Sequence, residues 1–457
     1  MLPEQVRKFL DQGESSLLLG PGAQPGRYDT VAAVVPDRIA LRALAVPAGV
    51  QARAVGVFVE SGPVTLVPPR DWPPLTRLRV RPAAGGWLTV LRFSDTVEVG
   101  AVLIALGRQA SYRGVPMLSP MGFDPSASGP VVDAATLDLR EGPTEALLAS
   151  LRPAAGLSVG SWDEPTIGAV RGLAMSGVPI TADSAPAELQ QIADALTAPV
   201  DLSDALAREE HSIVLRRAAL DAWGGFRQPA VSIVLATRRP DMLDFAVGQV
   251  ARQRGVDALE LVLAPHGFDV DEARVRDLLG ADIGLRLSPQ PESTIFGEVL
   301  GAAARAADGD VILKMDDDDW YSPDAVADLL RARAYSGAEL VGMPPEFHYL
   351  EERDLTVRRG HPSELYATFV AGGTMMVDRL MLREVGGFRP VRKYVDAQLL
   401  SAVSAAGGAI YRTHGLGYLL RRTSSGHTWQ VDLDYLLDPA RVAATYDGFR
   451  PSRLLEL

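Results

Sequence analysis

A chain of 457 residues, 47% of them hydrophobic, has the material for two or three buried cores. Its formal net charge of -12 excludes long-range attraction of nucleic acid, and the absence of cysteine excludes disulfides and thiolate metal sites. No apolar run approaches the ~20 residues of a membrane span, so the expected location is the cytoplasm, with peripheral attachment at the inner face of the cell membrane as a variant of it.

In chain order, Met1-Leu-Pro-Glu-Gln-Val-Arg-Lys-Phe-Leu10 reads as a short amphipathic helix rather than a targeting peptide. Residues 1–200 read as an N-terminal α/β domain, of which a Rossmann-like arrangement is one form. Thr30–Val35, Val55–Val59, Val64–Val67 and Leu88–Leu91 are strand candidates, with Pro68-Pro69 and Pro73-Pro74 breaking the chain between the later ones. The 55–91 part also suits a separate antiparallel piece. Helical spacing follows over 97–108 and near 144–151, with Val131-Val132 between them. The segment 163–180 ends in Ala174-Met-Ser-Gly-Val-Pro179. That ending resembles the donor-side helix of two-domain (GT-B) glycosyltransferases, but Gly172 stands where that family has its ribose-binding Glu. On its residues alone it is a helix with a glycine stop before a strand. Residues 201–228 read as a charged helical connection closed by Gly224-Gly225.

From Pro229 the pattern sharpens. Val231–Thr237, Leu259–Leu263, Ile283–Leu287 and Val311–Met315 are apolar runs separated by helical spacing at 243–250, 271–279 and 296–307. This β-α-β-α-β-α-β order implies a mixed, mostly parallel sheet with helices on both faces across 229–457. Asp316-Asp-Asp-Asp319 arrives where the fourth strand should end, and Ser322-Pro323-Asp324 then signals a helix start. The carboxyl end of a parallel strand is where open α/β sheets bind ligands. Adjacent carboxylates repel one another, and a hard divalent cation such as Mn²⁺ or Mg²⁺ relieves that repulsion. A solvated acidic turn is the other reading of the run.

Taken together, Val231-Ser-Ile-Val-Leu-Ala-Thr-Arg-Arg-Pro240, the 307–321 segment, Gly372-Gly-Thr-Met-Met376 and Arg383-Glu-Val-Gly-Gly-Phe388 resemble family 2 inverting glycosyltransferases of GT-A fold over about residues 229–430. The resemblance implies transfer of a sugar from a nucleoside-diphosphate sugar to the hydroxyl of a carbohydrate or glycolipid acceptor. Synthesis of cell-surface polysaccharide or glycoconjugate is the setting it suggests. It further implies Asp318 as a metal ligand with Asp319 as a second, and His427 as a late third. Asp316 would reach the ribose or the metal-bound waters, and Thr237 and Arg238 the nucleotide. On their residue type alone, Arg421 and Arg422 suit either the diphosphate or rim ion pairs. Asp396, in the first turn of a helix after Gly-Gly-Phe, would be the base. Two departures stand out: Ala264-Pro-His-Gly267 replaces the family's Asp-Asp-Gly-Ser, and no Arg-Asn pair precedes the acidic run.

Other classes fit less well. A phosphatase of the Asp-x-Asp type needs a small residue where Trp320 stands, and a calcium loop needs an oxygen ligand there. A nucleotidyltransferase needs glycines that Ala236-Thr-Arg-Arg-Pro240 lacks. A non-catalytic nucleotide- or carbohydrate-binding protein that kept the fold stays open as the alternative.

Overall fold

The structure is a computed structural model that describes residues 2–36, 40–41, 44–60, 64, 72–109, 111–112, 115–116, 120, 122–223, 228–406, 408–422 and 433–457. The expected strand Val64–Val67 and the expected ligand His427 fall, Val64 apart, outside them.

The chain divides into two compact units, residues 1–108 together with 227–457, and residues 109–226. This differs from the expected division at 200 and 228. The physical reason lies in what the first 108 residues bury. They form a five-stranded mixed sheet in the order Ser16–Leu18, Gly26–Val35, Val50–Val59, Gly86–Glu98, Leu75–Ala83, the first three parallel and the last two antiparallel. Strand alternation sends Val31, Ala33 and Val35 to one face and Ala32 to the other. The first face packs on Val102, Leu103 and Leu106 of the helix Val99–Gln109. The second packs on Val6 and Phe9 of the N-terminal helix Glu4–Leu10. The expected strands Val55–Val59 and Leu88–Leu91 therefore belong to this one sheet rather than to a separate piece.

The edge strand Leu75–Ala83 then docks on the C-terminal region. Buried Glu339 accepts hydrogen bonds from Val80 N–H at 2.6 Å and Ala409 N–H at 2.8 Å. Arg77 and Arg79 both pair with Glu384, and Trp87 stacks at 4.6 Å on Tyr366.

The 109–226 unit holds a parallel sheet ordered Ile180–Ala182, Ala154–Val159, Gly129–Asp133, with helices Glu145–Leu151, Glu164–Met175 and Ala205–Trp223. The last helix, expected as a connection, is a packed part of this unit: His211 Nε2 lies 2.7 Å from Ile180 O, and Ser212 donates to Gly177 O. A Cβ at Gly172 would fall 2.1 Å from Pro143, so that position serves close packing.

Residues 228–457 build an eight-stranded sheet in the order Gly284–Leu287, Leu259–Pro265, Val231–Thr237, Val311–Met315, Met376–Asp378, Leu340–Gly342, Ile410–Arg412, Leu365–Tyr366. The first four strands run parallel, and Met376–Asp378 is antiparallel to both of its neighbours. Nearly every residue of Val231–Thr237 and all five of Val311–Met315 are buried, as expected for central strands. A second sheet, in the order Trp320–Tyr321, Tyr418–Arg422, Phe347–Leu350, Leu355–Arg359, Val442–Asp447, closes over the strand ends. The acidic run does not pass straight into a helix. Trp320–Tyr321 pairs as a short strand with Tyr418–Leu419, and the helix begins at Ala325. Among the described residues no helix is long and apolar enough to cross a membrane.

Candidate active site

Strand register decides which side chains meet. Leu235 and Met315 are partners in the parallel pair. Two residues on, Thr237 and Asp317 leave their strands level with each other, and Thr237 Oγ1 donates to Asp317 Oδ2 at 2.5 Å. The Arg239 guanidinium follows, bound to both oxygens of Asp317 and 3.0 Å from Asp318. These groups line a cavity of about 290 Å³ together with Arg238, His266, Lys314, Asp316, Asp319, His348, Asp396, Arg421 and Arg422. The expected residues Thr237, Arg238, Asp316, Asp318, Asp319, Asp396 and Arg421 are thus gathered at one place.

Each acid has its own surroundings. Burial pushes the Asp318 carboxyl up to about 6, with Arg239 pulling down against repulsion from Asp316 and Asp317. Asp319 is driven well above the carboxylate range, first by burial and then by Asp318 and Asp316. Both its oxygens already accept, from Tyr418 O–H at 2.5 Å and from Arg421 N–H at 3.0 Å. Asp316 Oδ1 accepts from Lys314 Nζ at 2.7 Å. Asp396 lies in the first turn of the helix Val395–Ala405, with its side chain 38% exposed. Burial also raises its carboxyl, against the pull of Lys314.

The glycine pair before Thr374 explains how the acids come so close. A Cβ at Gly372 would lie 2.1 Å from Asp396 Oδ2, and one at Gly373 would lie 3.0 Å from Asp316 Oδ2. The backbone there must run bare against both carboxylates.

Beside Thr237, Arg238 Nε donates to His266 Nδ1 at 2.9 Å, and its Nη2 to Glu292 O at 2.8 Å. Burial and then Arg238 hold the His266 pKa low, so the ring is neutral. His348, left without a role by sequence, also lines the cavity, and burial ahead of nearby cations lowers it to about 3. Arg421 turns its guanidinium to Glu351 at 2.7 Å and over the Trp320 ring at 5.6 Å. Trp320 packs against Phe245 and Phe449, and buried Tyr321 donates to Gly373 O.

Among the described residues no group of three or more His, Asp or Glu is gathered as a metal-ligand set. What stands at the cavity wall is an all-oxygen donor, Asp318, whose carboxyl is raised by burial while Arg239 pulls against Asp316 and Asp317. That fits a hard divalent cation held by one or two carboxylates and completed by substrate phosphates. The Arg239–Asp317 pair, Lys314 and His348 were not given roles from sequence. A lysine inside an otherwise apolar strand was the one signal available for them.

Open α/β sheets bind ligands in a cleft at the carboxyl ends of their strands, and that is where these acids and cations stand. Residues 232–400 match the family model described as Glycosyl transferase family 2. Residues 232–400 are thus a family 2 glycosyltransferase domain, and the sheet of residues 228–457 is the mixed, mostly parallel one expected. Among solved structures it is similar to a mannosyltransferase from Pyrobaculum calidifontis in complex with GDP-Man and Mn²⁺, at 15% identity and TM-score 0.36, covering 44% of this chain and 59% of that one. It is also similar to S. aureus TarS 1–349 in complex with UDP-GlcNAc, at 13% identity and TM-score 0.36, covering 46% and 64%. The chain thus spans less than two thirds of either. No curated protein matches it.

Proposed function

We propose that this glycosyltransferase moves a sugar from a nucleoside-diphosphate donor to a hydroxyl of a carbohydrate or glycolipid acceptor, inverting the anomeric carbon. The observation that carries this reading is the meeting of Asp316, Asp318 and Asp396 with Thr237 and Arg238 on one cavity. The acceptor O–H gives its proton to the Asp396 carboxylate as its oxygen forms a bond to the anomeric carbon. The bond from that carbon to the diphosphate oxygen breaks, and its electron pair leaves with the nucleotide. Burial raises the basicity of Asp396 for this task.

Thr237 and Arg238 hold the nucleotide, and Asp316 reaches the ribose. Asp318 would be the primary ligand for Mn²⁺ or Mg²⁺, with Asp319 beside it, and the cation would supply positive charge against the departing diphosphate. Arg421 serves this site through its backbone N–H on Asp319, and its guanidinium reaches phosphate only on leaving Glu351. Synthesis of cell-surface polysaccharide or glycoconjugate at the cytoplasmic face of the membrane is the setting this chemistry suits.

The test is release of nucleoside diphosphate from UDP-glucose, UDP-N-acetylglucosamine and GDP-mannose with MnCl₂. The wild type releases nucleotide from at least one. Asp396→Asn binds that donor within about threefold of wild type but turns it over about 100-fold more slowly. Weakened binding with normal turnover removes Asp396 from the base role.

A further inference from the structure

Lys314 is a buried charge that the reaction above leaves unused. It is one of only three lysines in the chain, and its side chain is 3% exposed. On its strand Ile312 and Lys314 share a face by alternation. Ile312 packs in the cluster that includes Val395 and Leu399, from the helix that carries Asp396. At the strand end the ammonium meets Asp316 Oδ1 at 2.7 Å, and Asp396 at 3.3 Å (Oδ1) and 3.4 Å (Oδ2). No other side chain partners it among the described residues. Burial works against its charge, but the two acids outweigh burial and keep it protonated.

The geometry of the Asp396 carboxylate is closed from a second side. Any side chain at Gly372 would strike Oδ2, and Oδ1 is buried 3.3 Å from the Lys314 ammonium. The carboxylate is thus set between a cation and a bare stretch of backbone.

We propose that Lys314 is a positioning residue that ties the donor-side carboxylate Asp316 and the base Asp396 into one frame. Asp396 stands on a helix and Asp316 just past the end of a strand, so their relative placement needs a tie. A carboxylate pair facing one cation has a defined separation. Without the cation the two acids repel, and Asp396 swings away from the line of attack. The inference rests on Asp396 as the base. It predicts that Lys314 acts on turnover far more than on donor affinity.

Lys314→Met and Lys314→Arg test this, with the donor that the wild type hydrolyses among UDP-glucose, UDP-N-acetylglucosamine and GDP-mannose in MnCl₂. Lys314→Met lowers kcat for donor hydrolysis by about 30-fold while donor KM moves by less than about threefold. Lys314→Arg, which keeps the charge, recovers most of the loss. Because an orphaned buried acid pair can unfold a protein, Lys314→Gln serves as a second neutral variant, with thermal unfolding as the check.

Unchanged kcat in a folded neutral variant overturns the proposal. So does an equal loss of kcat and donor affinity that Lys314→Arg does not recover. Failure of both neutral variants to fold makes the lysine a folding element and overturns it too. A wild type that neither binds nor hydrolyses any donor sinks the parent reading. An active wild type with an indifferent Lys314 sinks this inference alone.

Discussion

Two regions of this molecule bury carboxylates, and they do it differently. At the cavity, Asp316, Asp317, Asp318 and Asp396 each face a cationic side chain, either Lys314 or Arg239. At the joint between the Leu75–Ala83 strand and the C-terminal sheet, the two oxygens of Glu339 accept hydrogen bonds from the backbone N–H groups of Val80 and Ala409. The first arrangement keeps charge available to a ligand. The second uses one acid as a bracket between chain segments more than 250 residues apart in sequence. Burial pushes Glu339 up to about 8, so the bracket is neutral through most of the range in which the cavity acids are meant to be charged.

Substitutions separate the two uses. The largest effect belongs to the cavity: Asp396→Asn costs about 100-fold in turnover and leaves thermal stability nearly unchanged. Glu339→Ala does the reverse. It strands two buried N–H groups, each costing about 1–3 kcal/mol, and lowers the melting temperature by several degrees in a thermal scan while residual activity per folded molecule is kept.

Glu339 also carries a pH signature. The folded protein keeps its proton up to about 8, whereas the unfolded chain loses it near the ordinary glutamate value. Between those limits the folded state binds more protons, so stability falls as pH rises through that window. Glu339→Gln flattens this slope in denaturant titrations at pH 5 to 8. A slope that Glu339→Gln leaves unchanged assigns the pH dependence elsewhere. The smallest effect is expected from Arg421→Ala. Its exposed pairing with Glu351 is worth less than about 1 kcal/mol, so nucleotide affinity measured by titration moves by less than about threefold.

Much of this was legible in the residues, for a physical reason. Central parallel strands are buried on both faces and read as unbroken apolar runs, so Val311–Met315 was placed to the residue. The acidic run, sitting at its end, marked the cavity. The division of the chain was not legible. Strand Leu75–Ala83, not among the expected elements, alternates Arg77, Arg79 and Arg81 with apolar residues, a pattern that carries no sign of a distant partner. Only the acids Glu384 and Glu339, some 260 residues or more downstream, reveal what it docks on. The short strand before the helix was not legible either. Ser322-Pro323-Asp324 marks the helix that begins at Ala325, but Trp320–Tyr321 forms a strand only through Tyr418–Leu419, partners that local sequence cannot show.

The most direct measurement is calorimetric titration of UDP and GDP into wild type and Asp318→Ala, each with Mn²⁺ and with EDTA. Wild type should bind at least one nucleotide in Mn²⁺ and lose most of that affinity in EDTA, while Asp318→Ala should bind weakly in both. Equal affinity in Mn²⁺ and EDTA, or an Asp318→Ala variant that binds as tightly as wild type, would contradict a cation-assisted nucleotide site at this strand end.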